Sequence, residues 1–119
     1  MNSSIVQILK NIPILSDIDE DDLQGVAKNV KIMEFPKDTY VFRQADKGDK
    51  FYIIKSGKVE IITQNKDEKE HSIAILYPDN FFGEMALLNE KPRNASAKCV
   101  EDTELFVFHK QDFYDILFL

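Results

Sequence analysis

The feature that most constrains the fold of this chain is a series of short segments, beginning at Lys31, that are rich in β-branched and aromatic residues. Such segments are typical of β-strands. At least seven are predicted, and in chain order they read KIMEF, TYVFR, FYIIK, KVEIIT, SIAILY, SAKCV and ELFVFH. The turns between them contain Gly, Pro, Asp or Asn, including Gly48 and Gly57. Many short strands without long intervening helices favour an antiparallel barrel or jelly roll over a parallel βαβ sheet.

Helical patterns lie on both sides of this strand region. A first run of apolar residues at helical spacing ends at Pro13, and a second follows Asp19, which stands in an N-cap position before three acidic residues. A third begins in the C-terminal segment KQDFYDILFL. The sequence therefore predicts one mainly β domain over residues 1–119, with helices at about 3–30, an antiparallel β-roll at about 31–109 and a truncated C-terminal helix at about 111–119.

Charge and composition narrow the classes of partner. The formal net charge is −6, so the domain should repel phosphate backbones and anionic lipid, and we expect no nucleic-acid binding by this domain alone. No apolar run reaches the roughly 18 residues that a membrane segment requires, and the N-terminus lacks the pattern of a signal peptide. The single cysteine, Cys99, cannot form an internal disulfide. These features predict a cytoplasmic protein.

One segment, FFGEMALLNEKPRNASA, stands apart from the strand pattern. It predicts one or two helical turns at Gly83–Leu88, and the free amides at a helix start attract an anion. Arg93 offers a planar fork that binds two oxygens at once, and the small side chain of Ala95 leaves room beside it. The carboxylate of Glu84 would repel a lone phosphate. The segment therefore favours a phosphate joined to a sugar, with Glu84 accepting a hydrogen bond from a ribose hydroxyl.

These residues resemble the cyclic-nucleotide-binding domains of cyclic-AMP-dependent kinase regulatory subunits, of nucleotide-gated channels and of bacterial cyclic-AMP-responsive regulators. The resemblance covers nearly the whole chain, from NIPILSDI through FRQADKGDKFYIIKSGKVEI to the phosphate-binding cassette FGEMALLNEKPRNASA. It implies that the ligand is cyclic AMP or cyclic GMP. It also implies a regulatory role, in which the signal passes to an output domain or partner protein outside this chain, and it implies neither a cofactor nor a metal.

The resemblance implies roles for individual residues of the cassette. The residues expected at the ribose and the phosphate are Gly83, Glu84, Met85, Ala86, Arg93 and Ala95. Gly83 and Glu84 would face the ribose, with Glu84 taking the 2′-hydroxyl. The phosphate would be bound by the guanidinium of Arg93 and by backbone amides near Met85, Ala86 and Ala95.

The match is less close on the side of the base. Ala74 and Leu76, on the strand before the cassette, match apolar positions that line the base in some members. Asn94 follows the arginine, where alanine, serine or threonine is more usual, so the preference between cyclic AMP and cyclic GMP stays open. The turn before the cassette reads Pro-Asp-Asn instead of Pro-Gly-Asp, and Asn80 is expected to supply its left-handed residue.

The C-terminal helix suggests a further contact. Members of the family continue into a hinge and a lid helix that covers the base, whereas this sequence ends at Leu119. Apolar surface is expected on the closing helix at Phe113, Ile116, Leu117, Phe118 and Leu119. We therefore hypothesise that this helix pairs with a second copy, giving a homodimer, or with a longer partner.

Two other classes of function are considered. A metal-dependent enzyme with a jelly-roll fold is disfavoured, because the only histidines, His71 and His109, do not form a His-x-His pair and no set of cysteines replaces them. No nucleophile elbow or Walker loop is present, so no catalytic residue is predicted. A ligand-free interaction module that keeps the fold remains the alternative.

Overall fold

The computed structural model describes residues 2–67, 69–89 and 91–117. The helices are α1 (Asn2–Lys10), α2 (Glu20–Lys28) and α3 (Gln111–Leu117), with two 3₁₀ helices at Pro13–Leu15 and Glu84–Leu87. The strands are β1 (Lys31–Phe35), β2 (Tyr40–Phe42), β3 (Lys50–Ser56), β4 (Val59–Gln64), β5 (Glu70–Leu76), β6 (Phe81–Phe82), β7 (Ser96–Cys99) and β8 (Thr103–His109). The predicted mainly β fold with flanking helices is confirmed.

The strands form two four-stranded antiparallel sheets. The strand order is β1-β8-β3-β6 in the first sheet and β2-β7-β4-β5 in the second. All seven predicted segments become strands, whereas β6 was not predicted, because two residues are too few to show a period. It forms because Phe81 and Phe82 pair with Ile53 and Tyr52 of β3. This pairing holds the chain that enters the second 3₁₀ helix against the middle of the roll.

Strand β3 is buried on both faces and separates two apolar clusters. Phe51 and Ile53 point toward the helices, where the side chains of α1 and α2 cover them. Tyr52 and Ile54 point between the two sheets, together with Leu105 of β8 and other buried residues. This alternation is the two-residue period of a strand. The roll therefore has a helix-covered outer layer and a sheet-to-sheet inner layer.

The helices form where the sequence predicts them, with two differences in detail. Asp19 occupies the N-cap position of α2, but its side chain makes no capping hydrogen bond. Phe113 of α3 is fully buried, and its ring lies 5.5 Å from the ring of Phe51, centroid to centroid. The expectation that Phe113 offers apolar surface to a partner is therefore wrong, because it completes the helix-covered cluster. Phe118 and Leu119 lie outside the described residues, and so do the side chains of Ile116 and Leu117.

The turn between β5 and β6 also differs from the expectation. Asp79, with φ of 74°, adopts the left-handed conformation that was assigned to Asn80. The side-chain oxygen of Asn80 instead accepts a hydrogen bond from the amide of Tyr77, at 2.9 Å. The amide of Asp79 donates to the carbonyl of Ile54, at 2.8 Å. The turn is thus fixed on β3 by its backbone, and Asp tolerates the left-handed conformation better than most residues.

Candidate ligand-binding site

A cavity of about 490 Å³ opens between the second 3₁₀ helix and the segment that leads into β7. Its lining residues are Phe42, Gly48, Ile61, Phe81, Phe82, Gly83, Glu84, Met85, Ala86, Asn89, Lys91, Pro92, Arg93, Asn94 and Ala95. The predicted residues of the cassette therefore lie around one space. Ala95 is buried in its wall, while Asn94 is exposed at its mouth.

The two residues predicted at the base lie beside this cavity, outside its lining. Ala74 pairs across the sheet with Ile61, which does line the cavity. Leu76 pairs with Val59 and packs against the cluster between the sheets. The contact of Ala74 and Leu76 with a base therefore stays a prediction.

The guanidinium of Arg93 is held on several sides. Its Nη1 donates to the carbonyl of Gly83 at 3.0 Å, and its Nη2 donates to the carbonyl of Lys50 at 2.6 Å. Its central carbon lies 4.1 Å from the centre of the Phe42 ring, a cation–π contact. A side chain at Gly48 would overlap Nε and the central carbon of the guanidinium. Arg93 is therefore pre-positioned, and a position 48 without a side chain is needed for this arrangement.

The Nε of Arg93 is the group that this arrangement leaves unpaired. It is buried and has no hydrogen-bond partner among the described residues. An unpaired buried donor is costly, and such groups are rare in folded proteins. Burial lowers the pKa of Arg93, while Tyr52, Asp49 and Glu84 act in the opposite direction. The site therefore holds a partly desolvated cation that still has capacity to bind an anion.

The backbone of Arg93 is fixed by the loop between β2 and β3. The amide of Ala45 donates to the carbonyl of Arg93, and the amide of Arg93 donates to the carbonyl of Asp46, both at 2.7 Å. Ala45 adopts a left-handed conformation with φ of 78°. For an alanine this conformation costs roughly 1–2 kcal/mol, so the surrounding contacts must impose it. The loop and the arginine therefore position each other.

The start of the second 3₁₀ helix presents backbone donors to the same space. Gly83 is its N-cap residue, with φ of 81°. The first hydrogen bond of the turn runs from the amide of Ala86 to the carbonyl of Gly83, at 3.2 Å. The amides of Glu84 and Met85 precede it and have no acceptor among the described residues. Two free donors therefore lie near the arginine.

Glu84 is the acidic group of the cavity. It is half-buried, and its carboxylate has no hydrogen bond or ion pair with any described residue. It lies close enough to Arg93 to favour the charged form of the arginine. A ligand with an anionic group and a hydroxyl donor would satisfy the cation, the free amides and this carboxylate together.

Several lining residues come from parts of the chain that sequence reasoning did not connect with the cassette. Phe42 and Ile61 were predicted only as strand residues, and Gly48 only as a turn glycine. Asn89 and Lys91 lie within the quoted segment but were given no role. The one usable signal was Gly48, because a glycine allows the close approach of another group as well as a turn.

Two structural features are absent from the described residues. No group of three or more His, Cys, Asp or Glu side chains is arranged there to hold a metal ion. None of the described helices combines the length and apolar character needed to cross a membrane.

Comparisons with known proteins identify the family. The family model for the cyclic nucleotide-binding domain matches residues 32–118. The cyclic AMP receptor protein of Thermus thermophilus is 31% identical over 109 residues, which are 92% of this chain and 50% of that protein. The cGMP-dependent protein kinase egl-4 of Caenorhabditis briggsae is 35% identical over 96 residues, which are 80% of this chain and 13% of that protein. The chain thus spans half or less of the length of these relatives.

A solved structure shows the same fold. The structure of cAMP-bound PfPKA-R superimposes with a TM-score of 0.88 at 23% identity, over 97% of this chain and 41% of that one. The chain therefore has a fold that is already known. The match of the family model to residues 32–118 shows that this chain belongs to the cyclic nucleotide-binding domain family.

Proposed function

We propose that residues 1–119 act as one regulatory domain that binds cyclic AMP or cyclic GMP in the cavity beside the second 3₁₀ helix. The observation that carries this proposal is the position of Arg93, a half-buried cation next to two free amides and an unpaired carboxylate, Glu84. The names of the relatives support it, since one is a cyclic AMP receptor protein and another a cGMP-dependent kinase.

In this proposal the two ends of the cavity bind different parts of the nucleotide. Arg93 and the amides of Met85 and Ala95 bind the cyclic phosphate, because a charge-assisted fork and backbone donors suit its oxygens. The amide of Ala86, which the resemblance also implied, already donates to the carbonyl of Gly83. Glu84, supported by Gly83, accepts a hydrogen bond from the ribose 2′-hydroxyl.

The end of the cavity that is proposed to bind the base is mainly apolar. Ile61 lines the cavity, and Ala74 and Leu76 lie on the neighbouring strand. These apolar side chains are proposed to contact the base. Asn94, exposed at the mouth, offers both a donor and an acceptor, so it suits either adenine or guanine.

The biological role is proposed on the same basis. The chain spans half or less of its relatives, so an output domain or partner protein that receives the signal is proposed to lie outside residues 1–119. The domain itself is proposed to be a non-enzymatic cytoplasmic regulator without a metal or cofactor. It is not proposed to bind nucleic acid, in line with its net charge of −6.

A second candidate function is a ligand-free interaction module that keeps the fold. The bonding of Arg93 favours it, because both terminal nitrogens already donate to carbonyls of the chain. In that case the arginine would hold the cassette together instead of binding a phosphate.

Titration calorimetry with cyclic AMP, cyclic GMP and linear 5′-AMP separates the two candidates. We expect binding of a cyclic nucleotide, and Arg93→Lys should weaken it by roughly 10- to 150-fold, since hydrogen bonds to charged groups contribute about 1.5–3 kcal/mol. Arg43→Lys is the matched control, because Arg43 stacks on Tyr40, at 3.9 Å, and is not part of the cavity lining.

The outcomes are distinct. A folded parent chain that binds none of the nucleotides would favour the interaction module. Equal affinities of Arg93→Lys and the parent would show that the phosphate is bound by other groups.

A further inference from the structure

The ring of Phe42 is a surface on which the guanidinium of Arg93 lies. The central carbon of the guanidinium is 4.1 Å from the centre of the ring, and both side chains line the cavity. The face of an aromatic ring carries partial negative charge, so it attracts a cation at this distance. The attraction is stronger where water is partly excluded, and Arg93 is half-buried. Phe42 therefore helps to hold the cation in the cavity wall.

Among the described residues, no carboxylate forms an ion pair with Arg93. Asp46 and Asp49 are near enough to favour its charged form, but both have other partners. The carboxylate of Asp49 pairs with the ammonium of Lys50, at 3.6 Å. The carboxylate of Asp46 accepts a hydrogen bond from the amide of Arg43, at 2.9 Å. The guanidinium is therefore held by neutral groups, which are the ring and two backbone carbonyls.

The kind of group that holds an arginine decides how well the arginine binds an anion. A paired carboxylate would offset the positive charge and would compete with a phosphate for the same N–H groups. An aromatic ring orients the guanidinium through its face and has no net charge. The ring of Phe42 thus fixes the position of the cation and leaves its charge uncompensated.

The ring of Phe42 is itself fixed by its neighbours. Its centre lies 6.0 Å from the ring centres of both Tyr52 and Phe82, which stack on each other at 5.1 Å. Tyr52 belongs to β3, and Phe82 belongs to β6 and directly precedes Gly83. The three rings therefore connect β2 and β3 with the start of the second 3₁₀ helix, and the folded roll sets the position of the ring under the arginine.

We propose that Phe42 is a positioning residue for nucleotide binding, whose ring takes the place of a carboxylate and keeps the charge of Arg93 available to the cyclic phosphate. This inference rests on the proposed nucleotide site. A group that is already in place binds at a lower entropic cost, and an arginine that leaves the cavity part of the time lowers the apparent affinity. Nucleotide affinity therefore depends on the electrostatic character of the ring at position 42, and not only on its size.

Phenylalanine analogues that carry one, two or three ring fluorines test this dependence, because fluorine withdraws charge from the ring face and changes its shape little. Each added fluorine at position 42 should raise the dissociation constant of the cyclic nucleotide that the parent binds, by about 3- to 30-fold in total. The same analogues at Phe108 are the matched control. Its ring stacks on Phe51 at 4.8 Å and is not part of the cavity lining, so the affinity should not change.

Phe42→Leu removes the ring and should weaken binding by a similar factor. Tyr40→Leu is its control, because it removes the other arginine–aromatic contact of β2, that of Arg43 at 3.9 Å, which lies outside the cavity lining. Tyr40→Leu should bind like the parent. A loss in Phe42→Leu with equal affinities across the fluorine series would show a packing role only and would overturn the proposal.

A second measurement does not depend on nucleotide binding. In nuclear magnetic resonance spectra of the parent, the side-chain N–H signals of Arg93 are assigned by their loss in Arg93→Lys. The ring current of Phe42 should displace these signals upfield, and the displacement should disappear in Phe42→Leu and remain in Tyr40→Leu.

The outcomes separate the two levels of inference. A folded parent that binds no cyclic nucleotide would contradict the proposed function, and the resonance measurement would still decide whether the ring holds the guanidinium. A parent that binds nucleotide but shows no upfield displacement of the Arg93 signals would overturn the role of Phe42 alone.

Discussion

At the scale of the residue, the candidate site contains two groups of opposite charge, a guanidinium and a carboxylate. Arg93 has an unpaired buried Nε and two terminal nitrogens on backbone carbonyls. The carboxylate of Glu84 has no hydrogen bond or ion pair with a described residue, although its charge acts on Arg93. A bound anion alone would satisfy the first and repel the second. A ligand that carries both a phosphate and a hydroxyl, as the proposed cyclic nucleotide does, would satisfy both groups.

The role of Glu84 is tested with a pair of ligands. Glu84→Gln should weaken binding of a ribose cyclic nucleotide by roughly 10-fold or more, because a charge-assisted hydrogen bond is lost. The same variant should lose little affinity for the 2′-deoxy cyclic nucleotide, which has no hydroxyl to donate. Calorimetry on the parent and on Glu84→Gln, each with the ribose and the 2′-deoxy cyclic nucleotide, gives the coupling energy between the carboxylate and the hydroxyl. Additive losses would mean that Glu84 does not bind the 2′-hydroxyl.

At the scale of the element, the loop between β2 and β3 supports the arginine. Its backbone exchanges hydrogen bonds with Arg93 through Ala45 and Asp46, and Gly48 leaves the space that the guanidinium occupies. The second 3₁₀ helix supplies the opposite wall and is anchored by the pairing of β6 with β3. The site is therefore assembled from segments that are distant in sequence.

Two glycine substitutions distinguish this support from general stability. Gly48→Ala should displace Arg93 and weaken nucleotide binding by at least about tenfold, because the new Cβ overlaps the guanidinium. Gly25→Ala, in α2, meets nothing within 4 Å and should raise the free energy of unfolding by about 1 kcal/mol without changing affinity. Urea unfolding and calorimetry measure both. Unchanged affinity in Gly48→Ala would contradict the supporting role of the loop.

At the scale of the whole molecule, burial between the sheets couples stability to pH. Burial raises the pKa of the Cys99 thiol above its ordinary value of 9.0 and that of the Tyr52 phenol above 10.0. Both groups hold their protons more tightly in the folded chain than in the unfolded chain. Their contribution to the free energy of unfolding is therefore complete below about pH 8. It is lost as the pH rises above about 9 for the thiol and above about 10 for the phenol.

The expected result is a free energy of unfolding that falls between about pH 8 and 11, with a smaller fall in Cys99→Ala. Urea unfolding at several pH values measures this free energy for the parent and for Cys99→Ala. The difference between the two proteins at pH 7 gives the pH-independent cost of the smaller side chain, and it is subtracted from the differences at higher pH. Parallel pH profiles of the parent and Cys99→Ala would contradict the contribution of the thiol.

Much of the fold could be predicted from the sequence, because it depends on the spacing of residues that are close together in the chain. The change from helical to strand spacing at Lys31 and the turn residues between strands predicted the mainly β roll and its flanking helices. The order GEMALL followed by Pro92 and Arg93 predicted a short turn and a cation near it. These features depend on residues close in sequence, so a one-dimensional pattern contains them.

The remaining features required the tertiary structure, because they join residues that are far apart in the chain. Only the folded roll places Phe42 and Gly48 against Arg93, buries Phe113 beside Phe51, and gives the left-handed conformation to Asp79 instead of Asn80. Only the sheet order leaves β5 at an edge. The sequence by itself determined which elements form and which charges the cassette carries. The packing of the two sheets decided which of these groups meet, because burial and close approach are properties of the folded chain.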